Sequence, residues 1–153
     1  MPAHPITGRE VSGVENADAG LYQGRQVILT PIERTLTTKL DKARALWQAL
    51  GCEVLEMSPE SHDAAFADVS ALPHLEAFAL MNSIADQPEG QDYLALAGPG
   101  FRDFTRIAAS DPTMWRDVCL QNKDAILEML ARFSEDLASL QRSIRWMQRA
   151  SRC

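Results

Sequence analysis

The chain has 153 residues, 46% of them hydrophobic and 24% charged, with a net charge of −6. That is the composition of one globular domain and excludes disordered, collagen-like or low-complexity chains. The acidic balance argues against a nucleic-acid binder held by counterion release, and no apolar run approaches the roughly 18 residues of a membrane span.

The N-terminus, Met-Pro-Ala-His-Pro, has no basic start and no apolar stretch, so no secretory signal is expected. The first 25 residues hold Gly8, Gly13, Gly20 and Gly24 with Pro2 and Pro5, which is loop and turn composition. Residues 26–31 predict a short buried strand stopped by Pro31. Residues 35–50 predict a helix with Leu36, Leu40, Ala43, Leu46 and Leu50 at three- and four-residue steps, and Gly51 stands where a C-terminal cap is expected. Residues 52–57 alternate as a second strand. Strand, helix and strand in this order predict a parallel βαβ piece, and so small a piece should belong to a larger sheet.

Beyond Ser58 the strand signals stop. Ser58-Pro59-Glu60 reads as a helix start with proline at the first helical position. Residues 62–70 and 72–85 predict two helical stretches, with Pro73 kinking the join or opening the second. A short helix is expected over 91–97, a sharp loop at Gly98-Pro99-Gly100, and a helix over 101–109. Ser110-Asp111-Pro112 predicts the cap of a helix over 113–122. In the last helix Ile126, Leu130, Phe133, Leu137, Leu140, Ile144 and Met147 step by 4-3-4-3-4-3, a heptad seam. It suits either an inward stripe of a bundle or a dimer contact. The fold class is therefore mainly α, a helical unit preceded by a small βαβ piece.

Charge is unevenly placed. Residues 53–92 contain nine acids and no Lys or Arg, and after Asp136 come Arg142, Arg145, Arg149 and Arg152 with no acid. Cations at a helix C-terminus complement its dipole, so this tail reads as a solvated face. Three widely spaced cysteines, Cys52, Cys119 and Cys153, with no CxxC, point to a reduced cytoplasmic protein. With only three His, a structural zinc site is not expected.

Few residues announce chemistry. His4 lies in a Gly/Pro-rich segment ahead of Arg9 and Glu10, and by pattern alone it is an exposed loop histidine. His74 follows Pro73 on an apolar face and suits a partly buried position. Asp103 and Arg106 are three apart, as in a local ion pair or in an anion-binding guanidinium oriented by a carboxylate. Trp115, just inside a helix, is core by position. No GxGxxG, GxSxG, P-loop or HExxH occurs.

Four blocks in order carry a resemblance: His4-Pro-Ile-Thr-Gly-Arg-Glu-Val-Ser-Gly-Val-Glu15, Leu21-Tyr-Gln-Gly-Arg-Gln-Val-Ile-Leu-Thr-Pro31, Ala71-Leu-Pro-His74, and Phe101-Arg-Asp-Phe-Thr-Arg-Ile-Ala-Ala-Ser-Asp-Pro-Thr-Met-Trp-Arg-Asp117. Over almost its whole length the chain resembles the prephenate dehydrogenase family. The resemblance implies an NAD- or NADP-dependent oxidative decarboxylation of prephenate to 4-hydroxyphenylpyruvate in tyrosine biosynthesis, with arogenate the substrate of some relatives. It implies that residues 1–57 are the last part of a Rossmann-like nucleotide-binding domain and residues 58–153 a helical domain that forms a homodimer. His4 resembles the catalytic histidine and Arg106 the substrate-carboxylate arginine. His74, Asp103, Glu10 and Trp115 are the other substrate-binding candidates. The family commonly has another histidine where Ala71 stands, and glycine where Pro99 stands. Without the glycine-rich loop, the isolated chain is expected neither to bind the cofactor tightly nor to turn over. The alternative is a non-catalytic helical dimerisation module or partner-binding fragment.

Overall fold

The computed structural model describes residues 1–8 and 13–150, the last three as backbone. Glu10, Arg152 and Cys153 lie outside the described residues. The chain divides into two compact units, Met1–Asp63 and Ala64–Cys153.

The first unit is a three-stranded sheet in the order β1-β2-β3, with β1 Ala3–Pro5, β2 Gln26–Leu29 and β3 Glu53–Glu56. The expected parallel pair is β2 with β3, in register from Gln26 opposite Glu53 to Leu29 opposite Glu56. Helix α1, Thr37–Ala49, makes the crossover. Because side chains alternate along a strand, Val27 and Leu29 face one side, both fully buried, with Tyr22, Leu40, Ala43, Trp47, Cys52 and Val54 packed around them. The inward face of α1 is thus Leu40, Ala43 and Trp47. Leu36, Leu46 and Leu50, expected on it, are exposed. Three- and four-residue spacing does not choose between two neighbouring faces of a helix, and the single Trp47 outweighs the leucines once it finds the sheet. Gly51 adopts φ 83°, the left-handed conformation that ends a helix at no steric cost to glycine.

Strand β1 was not expected. It pairs antiparallel with β2, placing His4 opposite Ile28. Three residues between prolines and glycines are too few to show alternation, so only pairing with β2 makes them a strand.

Helix α2, Pro59–Phe66, starts where β3 has just ended. The Ser58 hydroxyl caps it, accepting from the Ser61 amide at 3.1 Å. A π-helical turn, Ala67–Ala71, joins α2 to α3, Leu72–Ala85, with Pro73 in the first turn of α3. Proline lacks the N–H of a regular ladder, and a widened turn accommodates it.

The rest of the second unit is helical: α4 Gly90–Ala95, α5 Pro99–Thr105 continued by a 3-10 turn Arg106–Ala109, α6 Pro112–Gln121 and α7 Lys123–Ala150. The loop expected at residues 98–100 is instead the start of α5, with Gly98 as its N-cap and Pro99 at the first helical position. The core is Ala67, Ala71, Trp115, Ile126 and Met129, with Leu72, Leu75, Phe78, Cys119 and Leu130 against it. The α7 seam splits in two. Ile126 is buried and Leu130 packs on the core, whereas Leu137, Leu140, Ile144 and Met147 are each about half exposed or more. Met129, outside the seam, is buried because a straight helix drifts relative to a 3.5-residue repeat.

The α6 start is as the sequence predicts. Asp111 accepts from the amides of Thr113 at 2.7 Å and Met114 at 2.9 Å. Asp111→Ala leaves those donors without this acceptor and should cost about 0.5–2 kcal/mol of stability, whereas Asp111→Asn keeps the cap. Urea denaturation of the three proteins checks this, and equal midpoints for wild type and Asp111→Ala would contradict it.

Candidate active site

His4 is carried by β1 on the face of the sheet that Ile28 also uses, since paired residues project to the same side. Its Nδ1 lies 2.8 Å from Nε2 of His62, and the rings meet edge to face with centroids 5.0 Å apart at 66°. His62 Nδ1 lies in turn 2.8 Å from Oδ1 of Asp63. Partial desolvation, and secondarily the His62 ring, hold His4 below the ordinary imidazole pKa. A histidine so placed is neutral at neutral pH and can accept a proton.

His62 and Asp63 were missed in the sequence. Their only signal is a His-Asp pair one turn into a capped helix, 58 residues from His4. Without the sheet, nothing says that the start of α2 meets β1.

In the second unit, His74 is half-buried and stacks on Trp115 with ring centroids 3.8 Å apart and 26° between planes. Its Nδ1 is 2.9 Å from the Ser70 carbonyl oxygen, within the π-turn. A carbonyl only accepts, so Nδ1 carries the proton and the neutral ring keeps a lone pair on Nε2. Trp115 is buried, and its Nε1 has no hydrogen-bond partner among the described residues. A buried indole N–H without an acceptor costs about 1–3 kcal/mol.

Arg106 is exposed at the junction of α5 and the 3-10 turn. Asp103 is exposed on α5, and no bond joins it to Arg106. Glu10 lies outside the described residues.

Neither strand-to-helix turn, residues 30–36 or 57–58, contains glycine. Pro31 removes an amide donor from the first and Glu33 adds a negative charge. These turns do not fit a dinucleotide pyrophosphate, which needs close backbone approach and free N–H groups. Among the described residues no group of three or more His, Cys, Asp or Glu is placed to hold a metal ion, and no helix is long and apolar enough to cross a membrane.

Comparison with known proteins agrees over both units. Residues 1–56 match the family described as prephenate dehydrogenase, nucleotide-binding domain, and residues 58–151 that described as prephenate dehydrogenase, dimerization domain. The cyclohexadienyl dehydrogenase of Zymomonas mobilis is 34% identical over 146 residues, covering 94% of this chain and 50% of the relative. A crystal structure of prephenate dehydrogenase from A. aeolicus in complex with hydroxyphenyl propionate and NAD+ superposes with a TM-score of 0.86 at 44% identity, covering 93% of this chain and 50% of that one. The arogenate dehydrogenase of Synechocystis superposes with a TM-score of 0.82 at 29% identity, covering 95% and 54%. The chain thus spans about half the length of the relatives it matches.

Proposed function

The chain belongs to the prephenate dehydrogenase family, and on that premise we propose that it supplies the proton acceptor and the carboxylate anchor of an enzyme that oxidatively decarboxylates prephenate. The observation that carries this reading is the His4 imidazole, held on a strand and partly desolvated so that it stays neutral at neutral pH. In this role His4 takes the proton of the substrate's ring hydroxyl. Arg106 binds a substrate carboxylate through its planar fork of donors. His74 presents its Nε2 lone pair to the ligand, and the Trp115 indole N–H donates to it. Glu10 and Asp103 are the remaining substrate-side candidates. NAD or NADP supplies a hydride acceptor when bound to the enzyme; this chain's part is the proton and the anchor.

Residues 1–57 are then the end of the nucleotide-binding domain and residues 58–153 the helical domain. A cytoplasmic setting is part of this reading. Joining the chain to the glycine-rich half of a relative's nucleotide-binding domain, and following NADH with prephenate and with arogenate, tests the reading. Turnover of prephenate is the expected result. Preference for arogenate would reassign the substrate, and a fusion that binds NAD but turns over neither would overturn the reading.

The second reading, a dimerisation module, is favoured by the exposed apolar stripe Leu137, Leu140, Ile144 and Met147 on α7, with Trp146 74% exposed beside it. This stripe supports a homodimer in either case. Ile144→Glu puts a charge into the apolar seam and should convert a dimer to a monomer at micromolar concentration. Light scattering on both proteins decides it, and a wild-type monomer would remove the dimer from the proposal.

A further inference from the structure

We propose that Asp63 and His62 are positioning residues that fix His4 as the Nδ1–H tautomer, so that its Nε2 is the atom that accepts the proton; this rests on the reading of His4 as the base. The three residues come from two elements. His4 is on β1, paired with Ile28 of β2, and His62 and Asp63 follow the Ser58 cap of α2. All three belong to the first compact unit.

The tautomers follow from the two contacts. An ionised carboxylate only accepts, so the 2.8 Å contact between His62 Nδ1 and Asp63 requires a proton on that nitrogen. The neutral His62 ring then has its lone pair on Nε2. The second 2.8 Å contact, between His62 Nε2 and His4 Nδ1, can be a hydrogen bond only if His4 donates from Nδ1. The neutral His4 ring therefore keeps its lone pair on Nε2. The edge-to-face approach at 66° suits an in-plane N–H meeting an in-plane lone pair. The His62 side chain is 18% exposed, while His4 and Asp63 on either side of it are exposed.

The arrangement also suits the product of the transfer. When His4 takes a proton on Nε2 it becomes an imidazolium whose Nδ1–H still donates to His62, so no ring has to turn. Donors and acceptors already in place at the moment of charge transfer are the usual source of rate enhancement. A second proton on His62 reverses the direction of the contact. His62 Nε2–H would then donate to His4 Nδ1, the His4 proton would sit on Nε2, and no lone pair would remain there for the substrate.

Nitrogen-15 NMR on the labelled 153-residue chain, well above the ordinary imidazole pKa, reads the tautomers directly. The expected result is a pyrrole-type Nδ1 and a pyridine-type Nε2 for both His4 and His62. In His62→Leu, His4 should revert to the Nε2–H form that free imidazole favours in water. In His62→Gln the amide oxygen can accept from Nδ1 and should hold the original form. Nε2–H at His4 in the unmodified chain overturns the proposal, as does an unchanged His4 tautomer in folded His62→Leu. Should the leucine variant not fold, the unmodified chain still decides it. In the fused enzyme His62→Leu should lower kcat by about 10–100-fold, the loss seen when the partner that orients a functional histidine is removed, with KM little changed and His62→Gln partly restoring kcat. Tautomers as stated with kcat unaffected would uphold the positioning and overturn the reading of His4 as the base.

Discussion

Replacing His4 by alanine should lower kcat of the fused enzyme by about 10²–10⁴-fold, the usual loss for a general base, with a small effect on KM. Proton removal belongs to the transition state, so its loss appears in kcat rather than in ground-state binding. The pH dependence carries the same assignment. Desolvation first, and the His62 ring second, lower the His4 pKa, so the acid limb of kcat/KM should fall below the ordinary imidazole value of about 6.5. Folding is linked with a definite sign. Between the lowered folded pKa and the unfolded value, the unfolded chain binds the proton more readily than the folded one. The His4 contribution to stability therefore falls as pH drops through that window and is constant above it. His4→Ala should remove this dependence from a urea titration series. An unaltered kcat together with an unaltered pH profile would show that His4 is not the proton acceptor.

Arg106→Ala should instead raise KM far more than it lowers kcat, because a contact to a carboxylate is made in both the ground and transition states. Removing one partner of a charge-assisted pair and leaving the other buried costs about 2–5 kcal/mol, so a rise in KM of about 30-fold or more is expected, one decade for each 1.4 kcal/mol. Arg106→Lys should recover only part of this, since an ammonium lacks the guanidinium fork. Arg106 is exposed on a short 3-10 turn, and urea midpoints of both variants compared with wild type separate a loss of fold from a loss of binding. Steady-state kinetics on both, with prephenate varied, make the measurement. An unchanged KM in Arg106→Ala would move the anchor to another cation.

Both predictions depend on residues that the sequence supplied through a match of ordered blocks rather than through periodicity. Pattern alone made His4 an exposed loop histidine and Trp115 a core residue. In the structure His4 is exposed, as that pattern has it, but stands on a strand rather than in a loop, and Trp115 is buried against His74 with no partner for its Nε1 among the described residues.

Local chemistry fixed much of the fold without tertiary help. A Ser or Asp cap followed by proline starts α2 and α6, because both act within one turn of the chain. Gly51 ends α1 because left-handed φ is a property of one residue. The parallel βαβ order follows from two short strand-patterned runs, residues 26–31 and 52–57, separated by one helix length. What the tertiary structure alone decided involves pairing over long sequence separations. Strand β1 exists because Ala3–Pro5 finds β2, about twenty residues away, and three residues are too few to carry a period. The inward face of α1 was chosen by Trp47 reaching the sheet and not by its leucines. The α7 seam is continuous in sequence, but the core reaches only its first half, leaving Leu137 onward exposed. The His4–His62–Asp63 chain belongs to the same class. Hydrogen bonds between side chains 58 residues apart leave no mark on local propensity or spacing, and only the folded sheet with α2 following it brings them to 2.8 Å.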